Sequence, residues 1–427
     1  MGLRICQTLI FVMVVVRNSS FQIDIECPQC GAPVVLEETD NIIECPFCRV
    51  RSILSTDPYP CYYFEPRQEK FSGTPVIYIP YWRFKGLEFT LRGDQVSYRV
   101  IDSSWIAFDK SGKHGFPPSL GLRSQTQKLK FIQSETKGLF FPLSISKKQI
   151  LKRINQETSS ANGIKQAHIH VGEIMSLIYL PFYRAQQELY DGLTGKKIDD
   201  MLEQLPLKGK LPAYNYNFLP GMCPNCGWEL EGETDSLVLL CKGCFRAFLI
   251  RNKDLKQIEV QCTSLKSDTD LLIPFWKLSI NFSKINCSKY SDIMRLANIP
   301  KAILKEHETK DFYFFIPAFK VNPKLFLRLG KQTSLLQPDS SLLNKLPGNK
   351  FYPADLPLQE GFEAVIPILM HLCKKKRDIW NMLIKEKIKL EKYSLVYLSF
   401  KEAGSEYVQE EFRFSIPKNS LKFGRKL

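Results

Sequence analysis

Eight of the chain's 13 cysteines fall into two clusters whose spacing suits a metal site. Cys27-Pro-Gln-Cys30 with Cys45-Pro-Phe-Cys48, and Cys223-Pro-Asn-Cys226 with Cys241-Lys-Gly-Cys244, each read C-x2-C-x14-C-x2-C. A two-residue gap lets a tight turn aim both sulfurs, and nearby amides, at one ion. The 14 residues between the turns make a short hairpin that returns the second pair to the first. Cys27, Cys30, Cys45 and Cys48 are expected to hold one tetrahedral Zn²⁺, and Cys223, Cys226, Cys241 and Cys244 a second. Four thiolates leave no position for water or substrate, so both ions read as structural. Redox-active or disulfide-paired cysteines are the alternative. The other five, Cys6, Cys61, Cys262, Cys287 and Cys373, have no paired spacing and read as free, mostly buried thiols of a reducing cytosol.

Cys27-Pro-Gln-Cys30-Gly31 and Cys223-Pro-Asn-Cys226-Gly227 match a CPxCG knuckle, in which glycine permits a turn conformation other residues resist. On these residues the chain resembles the zinc-ribbon (rubredoxin-like zinc β-ribbon) family of transcription, ribosomal and bacterial proteins. The resemblance covers about 25 residues, twice, and implies two small zinc-ordered hairpins rather than a reaction. The second knuckles depart from it, with Arg49 and Phe245 where a glycine often stands.

His168-Ile-His170 would place both rings on one face of a strand near Glu173, so a second kind of metal site and a solvent-facing pair are both open readings. No GxxxxGK[ST], GxGxxG, HExxH or GxSxG motif is present. Thr194-Gly195-Lys196 lacks the upstream glycine of a phosphate loop, and Asp191-Gly192 reads as a turn. No set of catalytic residues is singled out, and the chain reads as non-enzymatic.

The elements that must position the cysteines are mainly strands. Val76–Leu91 and Val96–Phe108 are rich in Ile, Val, Tyr, Phe and Trp, with Arg92-Gly-Asp-Gln95 as a hairpin turn. Ile169–Leu189 and Leu395–Phe400 have the same character. Prolines within these strands suggest an edge or a bulge. Tyr81, Trp82, Phe182, Phe275 and Trp276 read as core, with base stacking as the alternative. Ser146 is expected to cap a helix over 147–155, and 359–390 carries helical periodicity that Pro367 should break or kink.

Four landmarks recur in one order behind each ribbon. About 50 residues past the first cysteine stand Tyr78-Ile-Pro-Tyr-Trp82 and Leu272-Ile-Pro-Phe-Trp276. Next come 116–123 against 316–328, then Phe140-Phe-Pro against Phe351-Tyr-Pro, then Tyr179-Leu-Pro-Phe182 against Tyr397-Leu-Ser-Phe400. The expected fold is α+β and β-rich, a tandem duplication of two homologous halves. Each half is a four-cysteine zinc ribbon followed by a mainly antiparallel β module with a few helices. The expected boundaries are an apolar segment at 1–22, ribbons at 23–55 and 213–252, modules at 56–204 and 253–427, and a linker at 205–212.

A chain of 427 residues can bury several cores, and 44% hydrophobic with 24% charged residues is ordinary for a globular protein. Two zinc–tetrathiolate centres would each contribute −2, taking the formal +15 to about +11, which favours an anionic partner. The ribbon hairpins oppose the obvious inference of nucleic acid. Glu37, Glu38, Asp40 and Glu44, and Glu229, Glu231, Glu233 and Asp235, stand between the inner cysteines with no Lys or Arg among them. They read as a solvated face or as an acidic docking tip for a basic protein. Basic residues lie beyond, at Arg49, Arg51, Lys242, Arg246, Arg251 and Lys253. The run Leu9–Val16 within residues 1–20 is shorter than a membrane span.

The reading is a cytoplasmic zinc-binding adaptor or scaffold with two structural ions and a protein partner. One alternative is nucleic-acid binding through Lys147, Lys148, Lys152 and Arg153, or through 374–377. The other is membrane-surface association through residues 1–20.

Overall fold

A computed structural model describes residues 21–425 except 58, 68–72, 109–115, 122–127, 147–148, 151–165, 186–187, 199–214, 252, 264–266, 268–269, 339–341, 345–349 and 384–386. The apolar run within 1–20, the linker at 205–212, Lys147, Lys148, Lys152 and Arg153 lie outside the described residues.

The first ribbon is built from β1 (Gln22–Glu26), β2 (Pro33–Glu37), β3 (Ile42–Glu44) and β4 (Arg51–Asp57). β1 and β2 pair antiparallel and alternate in burial, so Ile23, Ile25, Val34 and Leu36 face the core. β3 pairs antiparallel with β4. Then follow β5 (Cys61–Phe64), β6 (Val76–Arg92), β7 (Gln95–Ile106), β8 (Leu129–Phe131), β9 (Leu139–Phe140), β10 (Gln166–Ala185), β11 (Glu188–Asp191) and β12 (Lys197–Ile198). These join β1 and β2 in one sheet, ordered β12-β11-β10-β5-β8-β1-β2, with β6 pairing β10, β7 and β9. The β6–β7 turn falls at Arg92–Gln95, and Asp191 Oδ1 accepts from the N–H groups of Leu193 and Thr194, both as the turn residues imply.

The second ribbon comprises β13 (Asn215–Pro220), β14 (Leu230–Glu231), β15 (Val238–Cys241), β16 (Arg246–Arg251) and β17 (Asp254–Ile258). β13 runs into the second ribbon yet pairs with β4 of the first, while β16 takes its own β17 instead. The second module holds β18 (Val260–Thr263), β19 (Leu271–Phe282), α1 (Tyr290–Ala297), α2 (Lys305–Thr309), β20 (Phe314–Pro317), α3 (Pro323–Leu336) and β21 (Leu342–Leu343). It continues with α4 (Leu358–Glu363), α5 (Val365–Leu372), α6 (Lys376–Leu383), β22 (Ile388–Ala403), β23 (Glu406–Gln409), β24 (Phe414–Pro417) and α7 (Lys418–Gly424). The described chain is thus β-rich with helices, of the α+β class expected.

The two modules share a pairing scheme. β10 lies antiparallel to β6 and parallel to β5, as β22 lies antiparallel to β19 and parallel to β18. Pro80 stands opposite Tyr179, and Pro274 opposite Tyr397. Trp82 Nε1 donates to Ile145 O at 2.8 Å, and Trp276 Nε1 to Leu356 O at 3.0 Å. Three of the four landmarks therefore occupy matching places. The second does not. Ala107 N donates to Pro80 O and Ala318 N to Pro274 O, so the counterpart of 316–319 is 105–108 rather than the segment at 116. The prolines that suggested that match lie at different points of the fold.

The strand prolines mark neither an edge nor a bulge. On one flank of β6 the partner changes from β9 to β7, and Pro80 stands at the gap, where no ladder N–H is required. Pro181 occupies the like gap on β10, between β5 and β11, and its carbonyl accepts from Gly192 N at 2.8 Å. A true irregularity falls between Val171 and Ile174, where a Cβ on Gly86 would stand 2.8 Å from Gly172 O. Beyond it, Phe89 reaches Phe326 of α3 with ring centroids 6.0 Å apart, and Leu87, Leu91 and Val171 enter the second module's core. The modules therefore share a core.

The single helical stretch expected over 359–390 is three short helices and the start of a strand. The chain breaks at Ala364 and Cys373, not at Pro367, which sits buried in the first turn of α5 where no intrahelical N–H is needed. Gln149 and Ser146 satisfy each other's backbone N–H groups, a capping box at the expected place, and the rest of that helix lies outside the described residues.

Candidate metal centres and their surroundings

Three of the knuckles close by the same backbone bond. Gly31 N donates to Cys27 O at 2.9 Å, Arg49 N to Cys45 O at 2.9 Å, and Gly227 N to Cys223 O at 2.9 Å. The fifth position of each knuckle is left-handed, at φ 70° for Gly31, 59° for Arg49, 74° for Gly227 and 55° for Phe245. Arg49 and Phe245 thus adopt the glycine conformation at a cost glycine would not incur.

The eight cysteines named from spacing come together as two groups of four, with the sulfurs of each group within 4.8 Å of one another. Closest Sγ pairs are Cys27–Cys48 at 3.7 Å, Cys30–Cys45 at 3.6 Å, Cys223–Cys244 at 3.6 Å and Cys226–Cys241 at 3.4 Å. These are too long for a disulfide, at about 2.05 Å, and close to the edge of roughly 3.8 Å expected for a tetrahedron with metal–sulfur bonds of about 2.3 Å. Each group can hold one metal ion, with four thiolate donors and no vacant ligand position. Backbone N–H groups already favour the thiolate at one cysteine in each group. The N–H of Cys48, opposed by burial and helped by that of Phe47, pulls Cys45 down to about 6. Against burial, the N–H groups of Asn225 and Cys226 pull Cys223 to about 7. Cys61, Cys262, Cys287 and Cys373 are buried, and burial pushes Cys262 up to about 11 and Cys373 up to about 12. Cys6 lies outside the described residues.

Two of the eight acidic residues between the cysteines, Glu38 and Asp235, are buried in ion pairs. Glu38 is buried against Arg83 of β6 at 2.9 Å, and Arg83 also meets Asp102 at 3.0 Å and lies 4.4 Å over the Phe21 ring. Asp235 is buried in a two-pronged pair with Arg425, at 2.6 and 2.7 Å. Glu231 pairs with Lys242 at 2.7 Å. Each hairpin turn is thereby clamped by an arginine of the module behind it. The turns also meet each other, since Asn41 N and Ile42 N donate to Thr234 O at 2.7 and 2.9 Å. Arg51 reaches the carbonyls of Leu230 and Gly232. Glu37, Glu44, Glu229 and Glu233 remain exposed.

The knuckles expose large apolar side chains. Phe47 is 67% exposed, Trp228 61%, Met222 56%, Phe245 50% and Val50 39%. The β4–β13 pairing, extended by Gly221 N donating to Arg51 O, places Val50 and Met222 beside each other, one from each cysteine group's surroundings. This was missed in the sequence, although three of the five stand next to a cysteine and the other two stand two positions from one. Arg49, Lys242 and Arg246 are exposed on the same knuckles.

The histidine pair is not solvent-facing. His168 and His170 lie opposite Thr90 and Glu88, and His168 Nδ1 is 2.9 Å from Glu88 Oε1. Burial would raise the Glu88 carboxyl, but bonds from His168 and Arg99 hold it at about 2. Among the described residues, only the two cysteine groups bring three or more ligand atoms together, and the Glu173 side chain named with the pair lies outside them. Tyr81, Trp82, Phe182, Phe275 and Trp276 are all buried, as core. No helix among the described residues is long and apolar enough to cross a membrane. The chain matches no family model, no curated protein and no solved structure.

Proposed function

We propose that this protein is a non-enzymatic, cytoplasmic adaptor. Its two zinc ions are structural, and its ribbons dock a protein partner through their knuckles. The observation that carries this reading is that both centres expose apolar side chains at their knuckles, Phe47 and Val50 on one and Met222, Trp228 and Phe245 on the other, with Val50 beside Met222. Exposed apolar side chains gathered on a rigid, metal-ordered surface suit the apolar anchors of a partner protein. Zinc fits four clustered thiolates, and its binding energy would order both knuckles. The shared pairing scheme of the modules supports descent of the halves by tandem duplication. In this reading two ribbon acids, Glu38 and Asp235, hold the molecule together, and docking passes from the hairpin turns to the opposite ends of the ribbons.

The test is co-purification from native cells, with and without nuclease and at rising salt, comparing wild type with Phe47→Ser/Trp228→Ser. Specific proteins retained after nuclease by the wild type and lost by the variant support the reading. Equal retention by both overturns it. A second reading is favoured by Arg49, Lys242 and Arg246 beside the same aromatics, a combination that suits a single strand of nucleic acid. Lys374, Lys375 and Arg377, exposed at the start of α6, add to it. Nucleic acid that leaves the protein between low and moderate salt would favour this alternative.

A further inference from the structure

Strand β7 pairs with β6 along one side, and among the described residues no strand pairs with its other side. Gly93, at φ 60°, opens a two-residue turn, so Arg92 and Gln95 form a hydrogen-bonded pair and the ladder alternates from there. Val96, Tyr98, Val100, Asp102 and Ser104 therefore point their N–H and C=O groups away from β6. Two bonds at the far end fix the same phase: Ala107 N donates inward to Pro80 O, and Ile106 N donates outward to Pro118 O. From Val96 to Ser104 the outward backbone groups meet no backbone partner among the described residues. None of these five residues is buried, and Tyr98 is 41% exposed.

Sheet edges are ordinarily guarded by shortness, proline, lysine or a bulge. β7 runs for 12 residues with no proline or lysine, and its register with β6 is unbroken. The other edge strands among the described residues have 6 residues or fewer, β13 being the longest. The two charges of β7 are engaged across the hairpin, Arg99 with Glu88 and Asp102 with Arg83 at 3.0 Å, so they do not guard its outer side.

The order of residues along this edge fits its own copy. An axis normal to the sheet at Val100 keeps every side chain on its own face and sets Val100 against itself. Tyr98 then faces Asp102 of the second copy, a hydroxyl donor against a carboxylate, and Ser97 faces Ser103. Arg99 faces Ile101, so no like charges meet. Moving the axis to Arg99 sets arginine against arginine, and moving it to Asp102 sets carboxylate against carboxylate. At Ile101 it sets Val100 against Asp102. We propose that the chain forms a two-fold dimer by antiparallel pairing of β7 with β7 of a second copy, centred on Val100. Pairing from Val96 to Ser104 makes about ten backbone hydrogen bonds across the axis and runs the β6–β7 hairpin of one copy into that of the other.

The experiment is sedimentation equilibrium of the full chain, zinc-loaded, with a monomer–dimer equilibrium expected below about 100 µM. Val100→Pro removes an N–H that β6 does not use, and it should weaken the dimer at least tenfold while leaving the hairpin intact. Tyr98→Asp changes an exposed side chain and sets carboxylate against carboxylate on both sides of the axis. It should weaken the dimer at least tenfold as well, and it decides the matter if Val100→Pro fails to fold. A wild type that stays monomeric up to about 100 µM overturns the proposal. So does a dimer that both variants keep at wild-type strength. Loss of the dimer in Phe47→Ser/Trp228→Ser also overturns it, because the contact would then lie at the knuckles.

Discussion

The clamp between Arg83 and the first ribbon can be tested by removing the arginine. In Arg83→Met the Glu38 carboxylate, whose side chain is fully buried, loses its paired charge at 2.9 Å and keeps the Phe21 N–H at 3.3 Å and the more distant charge of Lys85. Asp102 loses its partner at 3.0 Å as well. Breaking a buried ion pair from one side costs about 3–5 kcal/mol, most of it the penalty of the charge left behind. We expect a loss of at least about 3 kcal/mol in urea unfolding of the zinc-loaded protein. The reverse substitution, Glu38→Leu, leaves Arg83 paired with Asp102 and should cost about 1–2 kcal/mol, the scale of one lost charge-assisted bond. The double variant should lie well short of the sum, because neither charge is then stranded. Metal content should stay unchanged in all three, since no cysteine is touched. A loss under about 1 kcal/mol in Arg83→Met, or strict additivity in the double variant, would refute the claim that a buried pair holds the turn to the module.

Further expectations concern backbone and titration. Gly227→Ala places a side chain at φ 74° and should destabilise the second ribbon by about 1–2 kcal/mol, whereas Phe245→Gly at φ 55° should be neutral or stabilising by thermal melting. Gly86→Ala meets Gly172 O at 2.8 Å and should disorder the far end of the β6–β10 arm, seen as faster amide exchange at Phe89 and Leu91. Asp355, with its folded pKa lifted to about 7, contributes stability that is full below its unfolded value of about 4 and is lost as pH rises through 7. Asp355→Asn should therefore be more stable than wild type at about pH 8, with the gap closing toward pH 4 in melts across that range. A gap that does not change with pH would show that Asp355 is not held neutral by burial.

The cysteine spacing carried both metal centres, because ligand geometry is local and four sulfurs in one hairpin have few ways to converge. The long aromatic strands were legible for a similar reason: alternation and bulk persist over a dozen residues in Val76–Arg92. What spacing could not convey is pairing between distant segments. Nothing near Asn215 marks β13 as the partner of β4, and nothing near Arg425 marks it as the clamp for Asp235, 190 residues away. Glu38 and Asp235 looked solvent-facing like the other ribbon acids because their arginines lie outside the ribbons. Pro80 and Pro181 looked like edge or bulge residues because a gap between two partner strands leaves no trace in one strand's sequence. His168 and His170 read correctly as one face of a strand, but which face is buried depends on the second module's core. The knuckle aromatics were visible as residues, and only the fold shows that they remain uncovered.

The central claim, that eight cysteines form two separate structural zinc centres, is tested most directly by metal analysis of the full chain purified in its native metal state. We expect two zinc ions per chain in the wild type and one each in Cys27→Ser and Cys223→Ser. A single ion in the wild type, iron in place of zinc, or loss of both ions from either variant would contradict two independent zinc sites.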